Sequence, residues 1–304
     1  MNNAELNVVT GAFGFTGKYV TSRLLAMGKR LKTLTGHTDR PNPFGDQVAV
    51  APYNFDNSVE LAKSLEGTAT LYNTYWIRFP HGAMTYEKAV ENTRTLIKAA
   101  EHAGVRRLVH VSIANATEST LPYYKGKAAL EGAIKESKLS YAIIRPTVLF
   151  GPEDILINNI AWFLRRYPAF IAPGSGEYGM QPIYVEDFAD ILVEAGQSED
   201  NIIADAAGPE AFTFNDLLAL IKDTVQSKTR IIHLNPAVAL QLVKMLNTVV
   251  SDVVLTDGEI KGLMDNLLVS HEPPKGRTNL REWLAQNVET VGKEYHSELA
   301  RHYR

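Results

Sequence analysis

The run Leu6-Asn7-Val8-Val9-Thr10 leads without a break into Gly11-Ala12-Phe13-Gly14-Phe15-Thr16-Gly17, and a helical pattern follows it. Three glycines at i, i+3 and i+6 between a strand and a helix restrict what this chain can build. Gly11 permits the tight turn out of the strand. Gly14 presents no side chain to a pyrophosphate, and Gly17 lets the helix pack close to the sheet. The exposed amides at the helix N-terminus then face an anion. A glycine triplet alone is a weak signal, but strand before and helix after is the context a dinucleotide-binding turn requires. The competing reading is a glycine-rich turn that holds no ligand.

Past this turn, strand and helix signals alternate. Leu31 to Thr35, Val48 to Ala51, Thr70 to Tyr72, Leu108 to Val111 and Tyr141 to Ile144 read as strands. Between the last three lie a long helix over about 84–103 and another over 127–135. In the long helix Tyr86, Val90, Thr93, Ile97 and Ala100 step by three or four and so share a face. Alternation of this kind implies right-handed crossovers and a parallel sheet. The expected fold is therefore α/β: a doubly wound parallel sheet of Rossmann type over 1–150, with a smaller, mostly helical C-terminal lobe over 151–304. The second half is less regular. Helices are expected over 155–166, 185–195, 217–225, 236–249, 256–268 and from 279, and the lobe is expected to interleave with the core.

Composition narrows the partners. The 304 residues are 45% hydrophobic and 21% charged, as in a soluble globular enzyme. Net charge is -3 with no basic block, so neither nucleic acid nor an anionic membrane surface is expected as a partner. There is no cysteine, which excludes disulfides, iron–sulfur and zinc–thiolate sites and cysteine nucleophiles. His37 and His81 lack metal-ligand spacing to any nearby acid, so no metal is expected. No apolar run approaches the length of about 18 residues that spans a bilayer. No leader pattern precedes the first strand. A cytoplasmic protein is the expectation.

The residues after the second strand bear on which dinucleotide is held. It ends Thr35-Gly36-His37-Thr38-Asp39-Arg40, with no acid at its tip for a ribose diol. His37 and Arg40 follow closely, and a guanidinium suits a 2′-phosphate. NADP is thus slightly favoured over NAD, although Arg40 as a solvated charge with Asp39 at the ribose is the other possibility. Asp56 follows the third strand, where a carboxylate could accept the adenine amino group or simply cap the next helix. Further on, Tyr123 and Lys127 stand four apart and would share a helical face. An ammonium beside a phenol favours phenolate, making the pair a general acid/base for a carbinol oxygen. Chance pairs with this spacing are common, and position after the fifth strand is what gives this one weight.

Taken together, these stretches resemble an atypical, extended-type short-chain dehydrogenase/reductase, close to the NmrA-like and epimerase/dehydratase-like groups. The likeness is carried by Thr10 to Gly17, Asn92-Thr93-Arg94, Val109 to Ser112, Tyr123 to Lys127, Ile144 to Pro152 and Gln181 to Ala189. It implies cofactor contacts from Thr10, Gly11, Phe13, Gly14, Phe15, Thr16, Gly17, Asn73, Thr74 and Lys127. It also implies Tyr123 as acid/base, with Lys127 holding the nicotinamide ribose and lowering the Tyr123 pKa. The catalytic hydroxyl of the family has no clean match, because Ile113 or Ala114 takes its place. Ser112 either substitutes for it or satisfies a backbone group. The turn after the fourth strand, usually small, is here Asn73-Thr74-Tyr75-Trp76-Ile77-Arg78. Tyr75, Trp76 and Arg78 could shape a substrate pocket, stack on the nicotinamide or block it. The resemblance implies an NAD(P)-dependent oxidoreductase or epimerase/dehydratase acting on a small carbonyl or hydroxyl substrate, with a homo-oligomer possible. Its rival is a non-catalytic NAD(P)-binding sensor or assembly protein. A wall of side chains beside Tyr123 would favour the rival.

Overall fold

The computed structural model describes residues 5–303. Its elements run β1 (Leu6–Thr10), α1 (Phe15–Ala26), β2 (Arg30–Thr35), β3 (Val48–Pro52), α2 (Ser58–Leu65), β4 (Thr68–Asn73), α3 (Tyr86–His102), β5 (Arg107–Val111), α4 (Pro122–Glu136) and β6 (Ser140–Pro146). Then follow β7 (Val148–Phe150), α5 (Leu156–Arg166), β8 (Ala169–Pro173), β9 (Gly179–Met180), β10 (Pro182–Tyr184), α6 (Val185–Gln197) and β11 (Ile202–Ala206). The remainder is β12 (Phe212–Thr213), α7 (Phe214–Thr224), β13 (Arg230–Leu234), α8 (Pro236–Val250), α9 (Asp257–Met264), α10 (Leu280–Gln286) and α11 (Glu298–His302).

Seven strands form the main sheet in the order β11-β6-β5-β4-β1-β2-β3. The pairings from β3 across to β6 are all parallel. This is the doubly wound α/β architecture that the alternation implies. The order reverses between β1 and β4, and such a reversal opens a crevice at the carboxyl ends of the two strands. The chain divides into two compact units, one of 1–146 with 188–205 and the other of 147–187 with 206–304.

In the first unit Val8, Leu34, Leu71, Leu108 and Ile143 from the strands pack with Leu61, Leu65, Leu96 and Ile134 from the helices, all almost fully buried. Each such side chain contributes about 1.5–3 kcal/mol through burial. The buried face of α3 is Ala89, Asn92, Thr93, Leu96, Ile97, Ala99 and Ala100. It is turned slightly from the expected stripe, since Val90 is only half-buried. The second unit has its own core around Phe150, Ile157, Met180, Phe212, Leu217 and Leu284. Small paired strands run through it: β10 with β7, β12 with β9, and β13 with β8. None of these strands, nor β11, was expected from the sequence. Each is five residues or shorter, and each pairs with a distant segment.

Arg107 ties segment 188–205 to the sheet. Its guanidinium donates to the Ala195 carbonyl (2.7 Å), to Ser140 Oγ (2.6 Å) and to the Asp200 carbonyl (2.9 Å). Burial lowers its pKa, yet guanidinium remains charged and spreads that charge over three acceptors. Hydrogen bonds to a charged group contribute about 1.5–3 kcal/mol each. Arg107→Ala is therefore expected to lower unfolding free energy by at least ~2 kcal/mol in urea titration, with Arg107→Lys recovering less than half. A loss under ~0.5 kcal/mol, the range of ordinary surface substitutions, would contradict this role.

Candidate dinucleotide and acid–base site

The glycine turn is built as its spacing requires. Gly11 has φ +66°, and its N–H donates to the Leu34 carbonyl of β2 (2.8 Å). Gly14 N–H donates back to the Gly11 carbonyl (2.9 Å) and Gly14 begins α1 with no side chain capping the helix. A Cβ on Gly17 would stand 2.1 Å from the Gly11 carbonyl oxygen, so only glycine lets α1 lie this close to the turn. A Cβ on Gly14 would stand 3.2 Å from the same oxygen. The helix terminus is therefore free of a side-chain cap, and the cradle is one that added side chains would fill. Its uncapped amides suit a pyrophosphate, so these residues fit an NAD(P) cofactor. Around them Phe13 lies against Phe44 (6.5 Å between centroids), Phe15 meets Tyr19 edge-on (5.9 Å), and Thr16 is half-buried.

Thr10 and the end of β4 are locked together rather than open. The buried Thr10 hydroxyl donates to Asn73 Oδ1 (3.0 Å) and accepts from the Thr74 and Tyr75 amides (2.8 and 3.0 Å). Thr74 Oγ1 donates to the Thr10 carbonyl (2.5 Å). Tyr75 N–H also donates to Asn73 Oδ1 (3.1 Å), which directs Asn73 Nδ2 at His110 Nδ1 (3.0 Å). Nδ1 then accepts, so the ring proton sits on Nε2. That nitrogen is buried and has no hydrogen-bond partner among the described residues. Burial, aided by the Lys127 charge, pushes the His110 pKa well below its ordinary value, so His110 is neutral.

The Tyr123–Lys127 pair lies on α4, which starts at Pro122. Lys127 is 2% exposed, and its Nζ donates to the Val111 carbonyl at the end of β5 (2.7 Å). The Trp76 ring covers that ammonium at 4.5 Å. Trp76 meets Tyr123 edge-on at 5.7 Å and stacks on Tyr86 at 6.1 Å. Tyr123 also touches Tyr86 (5.9 Å) and Tyr124 (5.5 Å). A Cβ on Gly126 would stand 2.8 Å from Trp76 Cη2, so the indole is seated on the helix itself. Burial brings the Lys127 pKa down to about 7, with Glu131 one turn on opposing that shift.

Ser112 is engaged by Glu131. Its hydroxyl donates to Glu131 Oε1 (2.5 Å), and Arg145 Nε donates to the same oxygen (2.8 Å). Arg145 Nη2 completes the bidentate pair at Oε2. Glu131 was missed from the sequence, although its position four residues beyond Lys127 is the available signal. Of the other candidates, His37 and Arg40 are half-buried and joined through the turn bond from Arg40 N–H to the His37 carbonyl (3.4 Å). Asp56 is exposed, and it is Asn57 that caps α2, accepting from Glu60 N–H (3.2 Å). Arg78 lies over Phe79 at 5.6 Å. Among the described residues no group of three or more His, Asp or Glu could hold a metal, and no helix is long and apolar enough to cross a membrane.

Residues 11–157 match the model of a family described as NAD(P)H-binding. The chain is 28% identical over 238 residues to "NADH dehydrogenase [ubiquinone] 1 alpha subcomplex subunit 9, mitochondrial" of Arabidopsis thaliana, a match spanning 74% of this chain and 59% of that relative. Among solved structures, a triphenylmethane reductase of Citrobacter sp. superposes with a TM-score of 0.74 at 18% identity, covering 93% of this chain and 99% of that one. The UDP-glucose 4-epimerase of Thermotoga maritima superposes with a TM-score of 0.68 at 16% identity, covering 94% and 98%. The fold is thus the one shared with this reductase and this epimerase, and its first half is similar to NAD(P)H-binding proteins. The NAD(P)H-binding match lies mostly within the first unit and takes in the glycine turn, the end of β4 and the Tyr123–Lys127 helix.

The buried lysine gives a pH signature. In the unfolded chain Lys127 holds its proton up to about 10.5, and in the folded chain only to about 7. Between these values the unfolded state binds more protons, so stability rises with pH. Below about 7 both states are protonated and the cost of the buried charge is constant. Parent stability relative to Lys127→Met should therefore climb from pH 7 towards 10 and stay flat below 7, measured by urea unfolding across pH. A difference flat over the whole range would show that Lys127 keeps its ordinary pKa.

Proposed function

We propose that the chain binds NAD(P)(H) along the glycine turn and the ends of β1 and β4, and holds it as a structural or sensed ligand rather than as a turning-over hydride carrier. The observation that carries this reading is the Trp76 indole seated on Lys127 Nζ at 4.5 Å. The groups that hydride chemistry would use are engaged with the protein: Lys127 with Val111 and Trp76, Tyr123 with an aromatic wall, Ser112 with Glu131. The Arabidopsis relative is named as a subunit of a larger enzyme, which supports a binding role within an assembly. His37 and Arg40, with Gly36 in place of an acid, support a preference for NADP. A second reading is hydride transfer to or from a small carbonyl or hydroxyl substrate. It is favoured by Tyr123 and Lys127 lying one helical turn apart on α4.

Calorimetric titration tests the shared part of both readings. Gly14→Val should weaken NADPH and NADH alike by more than about tenfold, or ~1.4 kcal/mol. Parent-like affinity in that variant would remove the glycine turn from the binding site. The choice between readings rests on turnover. With a panel of carbonyl compounds the parent should bind NADPH but not consume it above the protein-free rate. Consumption that falls by about 10²–10⁴-fold in Tyr123→Phe, the usual cost of losing a general acid/base, would instead establish the hydride reading.

A further inference from the structure

Three aromatic rings lie together at the carboxyl ends of β3 and β4, and nothing in the sequence singled them out as a group. Tyr53 follows β3, and its N–H donates to the Thr35 carbonyl at the end of β2 (3.2 Å). Its ring stacks on Phe55 (4.7 Å, 13°) and meets Tyr75 edge-on (5.1 Å, 64°). Tyr75 is itself pinned, its hydroxyl accepting from Asn92 Nδ2 (2.9 Å). The Tyr53 ring is thereby fixed in direction. A Cβ on Gly36 would stand 3.7 Å from Tyr53 Cδ2, and a Cβ on Gly11 would stand 3.6 Å from the Tyr53 hydroxyl. The phenol therefore reaches from the tip of β2 to the glycine turn. It crosses the place where a β2 carboxylate would project, and Gly36 supplies none. Tyr53 is only partly buried, and its hydroxyl makes no hydrogen bond among the described residues. Burial, and Tyr75 beside it, hold the phenol above its ordinary pKa, so it is a neutral donor.

We infer that Tyr53 reads the adenosine ribose of the bound dinucleotide in place of a carboxylate, and that its hydroxyl favours a ribose carrying a 2′-phosphate. The inference rests on the dinucleotide-binding reading given above. A carboxylate at the end of β2 would accept from a ribose diol and repel a phosphate. A phenol O–H donates to either, and more strongly to a charged acceptor than to a neutral hydroxyl. His37 and Arg40 lie in the turn that follows Gly36, so cationic side chains come from the same stretch of chain.

The test is a set of titrations of the full chain with NADPH and NADH. Tyr53→Phe keeps both ring contacts and removes only the hydroxyl. It should bind NADPH about tenfold more weakly than the parent, with NADH affinity changed by less than about threefold. Gly36→Asp, whose Cβ would stand at ordinary contact distance from the Tyr53 ring, brings a carboxylate to the tip of β2 and should weaken NADPH more than NADH. Thermal melts of the unliganded variants check that each is folded. An equal loss for both cofactors in Tyr53→Phe, or no change for either, overturns the assignment to Tyr53, as does parent-like NADPH affinity in Gly36→Asp. These outcomes leave dinucleotide binding standing. A parent that binds neither cofactor would overturn both the assignment and the reading beneath it.

Discussion

The hydrogen bonds that join Thr10 to the end of β4 hold together the place where the main sheet changes direction. The sheet reverses its order between β1 and β4, and the two strands part beyond that point. One buried hydroxyl donates to Asn73 and accepts from two successive amides, so the separating backbones are fixed at the last residues they share. A partly buried amide left without an acceptor costs up to about 1–3 kcal/mol, and Thr10 supplies the acceptor for Thr74 while sharing the Tyr75 amide with Asn73. The same lock sets where Gly11 turns and where Tyr75 and Trp76 emerge. Asn73 then extends the network to the neutral ring of His110, where it ends, since the buried Nε2 has no hydrogen-bond partner among the described residues.

Beside that network, Lys127 is a nearly fully buried amine. A buried ammonium loses hydration that a single carbonyl hydrogen bond does not replace. The Trp76 face supplies part of the difference, because a cation over an indole gains about 2 kcal/mol or more when desolvated. Glu131 adds favourable charge one turn away, while Arg145 and Ser112 occupy both of its oxygens. Removing any one member would leave a buried charge or donor unmatched, and so the cluster is expected to behave as a unit. Its members come from β5, β6, α4 and the turn after β4, which makes it as much a packing device as a chemical one.

Much of the first unit was legible along the chain because its signals are local. A strand, three glycines at fixed offsets and a helix announce the tight glycine turn, and the 2.1 Å at which a Cβ on Gly17 would stand from the Gly11 carbonyl shows how little else that spacing allows. Strand–helix alternation pointed to a parallel sheet, and the four-residue step from Tyr123 to Lys127 placed both on one helix. Less was legible where partners are remote. β11 is a five-residue strand whose place beside β6 depends on a chain that returns after an excursion of some forty residues through the second unit. Asp56 and Asn57 are adjacent residues with similar capping ability, and only the backbone at the start of α2 decides that Asn57 is the cap.

The sequence by itself determined the fold class, the glycine turn and a helix over 127–135, because each follows from steric and periodic rules acting over a few residues; the structure starts that helix at Pro122 and so takes in Tyr123. Only the tertiary structure decided what those residues meet. Trp76 is separated from Lys127 by some fifty residues, Ser112 from Glu131 by nineteen, and Tyr53 from Gly11 by some forty. Contacts across such distances depend on strand order and on the turn each side chain takes as it leaves the sheet. Neither quantity is periodic, and so neither leaves a trace in the spacing of residues along the chain.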